Sequence, residues 1–238
     1  MRLALLLLFF YFSSFEILAE NKLRFVTEKL PPYQVVKDNK VISGTSYKLI
    51  NKAQLLANLN TEIEVFPWAR AYQIALSIPN VILFSVARTE QREDKFLWLF
   101  KLQPLIYRYY SSKKRAVNES FIKDNQQDVR VAAVRGSYEE DSLIKQGFLH
   151  QKNLILTKDY DTMWSLLDQG VVDITYASHI PESALKKSKH GFKPHNAIID
   201  KYDLYIVASR NSDPELLQKF TSALQQANRL IESNKGLD

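Results

Sequence analysis

The chain has 238 residues, 46% of them hydrophobic, and 32 basic against 26 acidic side chains give a formal charge of +6. It contains no cysteine, which excludes disulfides, thiolate metal sites, cysteine nucleophiles and a lipidated N-terminal cysteine. The length allows one large core or two modest ones.

Residues 1–19 read as an export signal. Arg2 precedes the apolar block "LALLLLFFYF", and the following "SSFEILA" ends on the small residue Ala19. An uncleaved anchor is the alternative, but the uninterrupted run from Leu3 to Phe12 falls short of the ~20 residues of a spanning helix. Cleavage after Ala19 is therefore expected, with a freely diffusing periplasmic protein as the product and no later transmembrane span. For an exported chain the basic balance does not call for nucleic acid. Basic residues are spread along the sequence except in "KKR" (113–115) and "KKSK" (186–189). They read as a solvated face that also favours an anionic ligand or a membrane surface.

"LRFVTE" (23–28) opens a series of short β-rich runs alternating with helical patterns, which predicts an α/β architecture with largely parallel sheets. "KLPPY" interrupts regular structure and leaves Tyr33 on a loop. A helix is expected over 45–58, with Tyr47, Leu49, Ile50, Ala53 and Leu56 on its apolar face. "EIEVF" (62–66) is the next strand, "ARAYQIAL" a helix, and "VILFSVA" (81–87) a strand apolar enough for burial on both faces. Pro104 then precedes an aromatic strand, "LIYRYYSSK". Strands follow in "VRVAAVRG", "NLILT" and "VVDITYA", with helices near 139–148 and 160–169. Residues 197–209 return as extended chain, and Leu216, Leu217, Phe220, Leu224 and Leu230 mark a closing amphipathic helix. The pattern predicts two lobes linked by two crossing segments: residues 20–104 with 205–238 in the first, and 105–204 in the second. A binding cleft is expected between them.

In order and spacing, "LPPY", "GTSYKLI", "FPWARAY", "FSVARTEQREDKF", "VAAVRGSY" and "LLDQGVVDITYAS" resemble the bacterial extracellular solute-binding protein family 3. These are the polar-amino-acid type of periplasmic binding protein that serve ABC transporters. The resemblance covers nearly the whole chain after the export signal. It implies a two-lobed, type II periplasmic binding protein fold with two hinge strands, closing over a small solute. It also implies an ABC permease, or alternatively a membrane receptor, as partner; a monomer without cofactor is expected. The threonine and arginine of the family's T-x-x-R turn match Thr89 and Arg92, the arginine clamping a ligand carboxylate. By pattern alone Arg92 reads instead as a solvated residue or a partner of Glu93 or Asp94. A guanidinium does present paired donors that match a carboxylate. The Thr89 hydroxyl is expected to cap the following helix, whose N-terminus would favour an anion. Arg88 is expected at the surface or in a lobe-to-lobe salt bridge.

Tyr33 matches the family's ligand-packing aromatic, or else covers the core. Trp68 and Arg70 form either a wall for a planar or anionic solute or a plain helix start. Ser85 matches a cleft hydroxyl, whereas Ala87 lacks the one usual at its position. Ser137, after Gly136 and before Tyr138, either opens the second half of an anion site or caps a normal turn. Ser178 stands where amino-acid binders carry the aspartate that pairs with the ligand ammonium. Its absence predicts a carboxylated solute other than a standard amino acid, with Tyr176, His179 and Glu182 as nearby polar groups and Asp173 structural. No hydrolase, metalloprotease or phosphate-loop motif is present, and His150, His179, His190 and His195 lack metal spacing. The protein is therefore expected not to be an enzyme. A few relatives dehydrate cyclic acids; Glu28 is the acid that would serve such a role, its alternative being a surface glutamate.

Overall fold

The computed structural model describes residues 22–235, so the expected export signal lies outside the described residues. The elements run β1 (Arg24–Thr27), β2 (Val35–Lys37), β3 (Lys40–Ser43), α1 (Thr45–Leu56), β4 (Ile63–Val65), α2 (Trp68–Ser77) and β5 (Val81–Ala87). After a short 3-10 turn, Glu90–Lys95, come β6 (Phe96–Ser112), α3 (Glu119–Asp124), β7 (Val131–Val134), α4 (Tyr138–Lys145) and β8 (Leu154–Thr157). Then follow α5 (Tyr160–Gln169), β9 (Ile174–Ala177), α6 (Glu182–Lys187), β10 (Phe192–Pro194), β11 (Asp200–Ser209) and α7 (Pro214–Lys235). None of the described helices is long and apolar enough to cross a membrane.

Two half-sheets are joined by two strands. The strand order is β4-β1-β5-β11-β6-β9-β7-β8, with β10 also on β6. β1 pairs in parallel with β4 and β5, and β7 in parallel with β8 and β9, as the alternating α/β pattern requires. β11 runs antiparallel between β5 and β6. β6 begins beside β11 in the first lobe and ends beside β9 and β10 in the second.

Pro104 does not precede the aromatic strand, as the sequence pattern predicts, but lies inside β6 opposite Asp203. There β6 has β11 on one side only, because its pairing with β9 starts at Arg108. A strand with one open edge tolerates a residue that lacks an N–H.

β5 is buried along its whole length, flanked by β1 and β11, so its run of apolar residues serves both faces. One core packs β1, β5 and α1 against α7, with Phe25 and Phe220 edge to face at 5.1 Å. A second gathers Tyr107, Val131, Leu143, Phe148 and Tyr176 in the other lobe. A third joins the lobes, placing Val26, Trp68 and Leu83 in one cluster with Val134, Met163 and Trp164.

Candidate functional site

The lobes meet face to face. Trp68, the first residue of α2, donates its indole N–H to the carbonyl of Gly136 at 2.6 Å. Lys29 reaches Asp161 on α5 at 2.5 Å, and His179 Nε2 contacts the carbonyl of Pro31. Between these bridges lies a cavity of about 20 Å³, lined by Glu28, Trp68, Ser85, Arg92, Ser137, Glu139 and other residues. That is close to the volume one water needs, so the lobes are closed over Arg92, while a second hollow of about 310 Å³ that shares Glu28, Trp68 and Tyr160 with this cavity lies along the same lobe interface.

Arg92 sits in this interface with 3% of its surface exposed. Its Nη2 lies 3.3 Å from Asp141 and 3.4 Å from the Gly136 carbonyl, both long for charge-assisted bonds. The guanidinium also packs on the rings of Trp68 at 5.5 Å and Tyr72 at 5.4 Å. Arg88 instead forms a two-pronged pair with Glu93 of its own lobe and stacks on Trp98 and Tyr205.

Two more carboxyls face the cavity. Glu28, at the end of β1, is 6% exposed, so the surface alternative for this residue is set aside. Burial pushes its carboxyl well above the usual range, and the neighbouring Glu139 adds to that while Arg92 opposes it. Glu139, on the first turn of α4, is 3% exposed and is likewise raised by burial, against hydrogen bonds that include one from the Tyr160 hydroxyl at 2.9 Å. The sequence pattern carried a signal for this turn, because "SYEE" has the S-x-x-E form of a helix start. Ser137 accepts from the Glu140 amide at 3.3 Å, and Glu140 accepts from the Gly136 amide. Glu139, Glu140 and Asp141 therefore already occupy the field of the α4 N-terminus, where an anion from the solute was expected. Gly136 makes this turn with φ of 70° and turns its carbonyl to Trp68 and Arg92.

Ser85 lies on a bulge in β5. Its neighbours Phe84 and Val86 pair with the consecutive residues Ile206 and Tyr205, leaving Ser85 without an opposite number and with φ of 64°. Its buried hydroxyl donates to Gln34 Oε1 at 2.9 Å and stands 3.0 Å from Ser46 Oγ, while Gln34 in turn donates to Thr27. Ala87, also buried, lines the cavity without a hydroxyl.

Tyr33 is held by its backbone: its carbonyl receives the amides of Ser46 and Tyr47, and a Cβ at Gly44 would lie 2.1 Å from that oxygen. Its ring meets His179 edge to face at 5.5 Å, beside the cleft and not in the cavity lining. Ser178 does line the cavity, and its hydroxyl lies 3.0 Å from His179 Nδ1. Burial pushes the His179 imidazole down, so the neutral ring donates from Nε2 to Pro31 and accepts from Ser178 at Nδ1.

Other residues stand apart from the cavity. Arg70 is exposed and stacks on Phe66 at 5.0 Å. Thr89 is buried, but its hydroxyl makes no cap: the turn after it is a six-residue 3-10 segment, and Oγ1 has no partner. Tyr176 is spent on Asp200, and Glu182 on Lys186. Asp173 holds Arg130 at 2.9 Å and receives its backbone amide. Among the described residues no group of histidine or acidic side chains is arranged to hold a metal ion.

No protein-family model matches the sequence, and no curated protein does. Solved structures do match. A histidine kinase sensor domain with similarity to periplasmic binding proteins superposes with TM-score 0.75 and 16% identity, over 90% of this chain and 94% of its own. The GluR0 ligand-binding core from Nostoc punctiforme, in complex with L-glutamate, gives 0.68 and 14%, over 87% and 93%. A putative L-cystine ABC transporter protein from Listeria monocytogenes gives 0.69 and 16%, over 87% and 89%. Together with the two half-sheets and their two crossing strands, these likenesses show that the chain has the α/β fold of the periplasmic binding proteins.

Proposed function

We propose that the protein captures a small carboxylated solute by closing its lobes, with Arg92 as the carboxylate clamp. The observation that carries this reading is the state of Arg92: a buried guanidinium packed on two adjoining aromatic rings, whose contacts with Asp141 and the Gly136 carbonyl, at 3.3 and 3.4 Å, are long. A carboxylate offers it a shorter, bidentate partner. Glu28 and Glu139 amend the expectation drawn from Ser178, because a carboxyl beside a bound ammonium group gives up its proton more readily and then supplies the countercharge that the group needs. The solute class is thereby widened to zwitterions. Trp68 forms the wall, with Ser85, Ser137 and Ser178 as polar contacts and Tyr33 at the rim; Thr89 and Arg70 act outside the cavity.

Binding favours the closed state through contacts that span both lobes. The same closure serves ABC-type uptake from the periplasm or presentation of the solute to a membrane receptor. The lobes divide near Pro104 and Tyr205, a division supported by the irregular β6–β11 register between Asp203 and Tyr205.

A thermal-shift panel of amino acids, dicarboxylates, polyamines and cyclic acids tests the reading. A carboxylated solute should stabilise the protein without being consumed. Arg92→Ala should weaken it by roughly a hundredfold or more, the scale of removing one partner of a buried ion pair. Unchanged affinity in that variant, or binding of polyamines alone, rejects the clamp. The burial of Glu28 in the cleft favours a second reading, a cyclic-acid dehydratase; that reading requires turnover that Glu28→Gln stops while binding persists.

A further inference from the structure

The two basic runs of the sequence, 113–115 and 186–189, come together on the second lobe, away from the cleft. The pairing of β10 with the end of β6 is responsible: Phe192 lies opposite Ser112, and the Lys113 amide donates to the Gly191 carbonyl at 3.0 Å. Between this ladder and the C-terminal end of α5 lies a depression of about 770 Å³, whose lining shares no residue with the cleft cavity. Lys114, Arg115, Lys187, Lys189 and His190 line it, all exposed.

Its cations outnumber its acids. Among the described residues Lys114, Lys187 and Lys189 have no carboxylate within ion-pair distance, and Arg115 reaches Asp173 only at 3.9 Å. Asp168 also lines the depression, but its carboxylate accepts from the Ser188 hydroxyl and from the amides of Lys189 at 3.1 Å and His190 at 3.4 Å.

A second observation points the same way. Ser112 lines the depression, is 4% exposed, and its hydroxyl has no hydrogen-bond partner. Trp164 lines an adjoining depression that shares Ser165, Asp168 and Lys187, and its buried indole N–H is also unpartnered. Buried polar groups normally find partners, so the unpaired Ser112 hydroxyl among these cations is suited to an acceptor-rich anion.

We propose that this depression binds a phosphate-bearing anion, with Lys114, Lys187 and Lys189 supplying charge and Ser112 a hydrogen bond. Lysines spread around a broad hollow act as point charges and suit the several oxygens of a phosphate. A planar carboxylate would instead favour an arginine fork, and the one arginine here already faces Asp173. The headgroup of an anionic phospholipid and a free oligophosphate share this chemistry.

Two probes separate those sources: pyrophosphate, titrated calorimetrically, and vesicles of phosphatidylglycerol against phosphatidylcholine, in co-sedimentation. A triple Lys114→Ala, Lys187→Ala, Lys189→Ala variant should lose roughly a hundredfold in affinity for phosphatidylglycerol vesicles, and pyrophosphate binding with it. A charge-matched control, Lys37→Ala, Lys48→Ala, Lys52→Ala, should retain both, and Arg92→Ala should retain pyrophosphate binding. Ser112→Ala should weaken binding without lowering the melting temperature, because it removes a buried hydroxyl that has no partner. Binding of pyrophosphate alone assigns a free phosphate, and binding of phosphatidylglycerol vesicles a headgroup. Binding of neither probe, or an equal loss in the charge-matched control, overturns the proposal.

Discussion

Glu28 and Glu139 show how burial sets the chemistry of single side chains. Both carboxyls hold their protons above the usual range, so the folded protein binds protons that the unfolded chain has released. Stability from these groups is complete below the ordinary glutamate value of 4.5 and falls as pH rises towards their raised folded values. Glu28→Gln mimics the protonated acid. Its melting temperature should match the wild type near about pH 4 and exceed it near about pH 7, in scans without ligand. A gap that does not change with pH means that folding does not raise the carboxyl of Glu28. Arg92 was singled out only through the family resemblance of its T-x-x-R motif, because by pattern alone an arginine there reads as solvated or ion-paired. Glu139 was not, because a glutamate in a first helical turn is ordinarily solvated, and only the second lobe's approach to Trp68 and Glu28 buries it.

At the scale of elements, the bulge in β5 places Ser85 at the cleft. Ser85→Ala deletes the hydrogen bond to Gln34 and leaves a buried amide oxygen short of a donor, which should cost about 1–3 kcal/mol. Ser85→Gly loses the same bond but relieves the left-handed backbone, so it should cost about 1 kcal/mol less. Urea unfolding of both variants checks the order, and a glycine variant less stable than the alanine one contradicts it. The long strands and helices follow hydrophobic period, and α5 spans 160–169 as expected. The β2–β3 hairpin was missed because its strands are short and largely exposed. Its signal was the Asp38-Asn39 pair, which takes the left-handed conformation that tight hairpins require. α3, α6 and β10 are six residues or fewer, too short for periodicity to mark.

Across the whole molecule, the closed lobes imply a balance between states. The cavity of about 20 Å³ at Arg92 admits no amino-acid-sized solute, so a solute reaches Arg92 only when the lobes part. Trp68→Phe removes the indole donor to Gly136 while keeping a ring on Arg92. The ligand-free variant should therefore show a larger radius of gyration by small-angle scattering, and a saturating solute should restore the compact value. An unchanged radius in the free variant means that this bond does not hold the lobes together.

The amino-acid sequence by itself determined the α/β alternation, the buried strand β5 and the closing helix, because these depend on period and on neighbours within a few residues. Tertiary structure alone decided which polar groups share the cleft. Glu28, Arg92 and Glu139 lie on three separate segments, and their charges interact only when both lobes exclude water between them. It also decided that two distant lysine runs border one depression, through a strand pairing whose short partner, β10, has no period of its own.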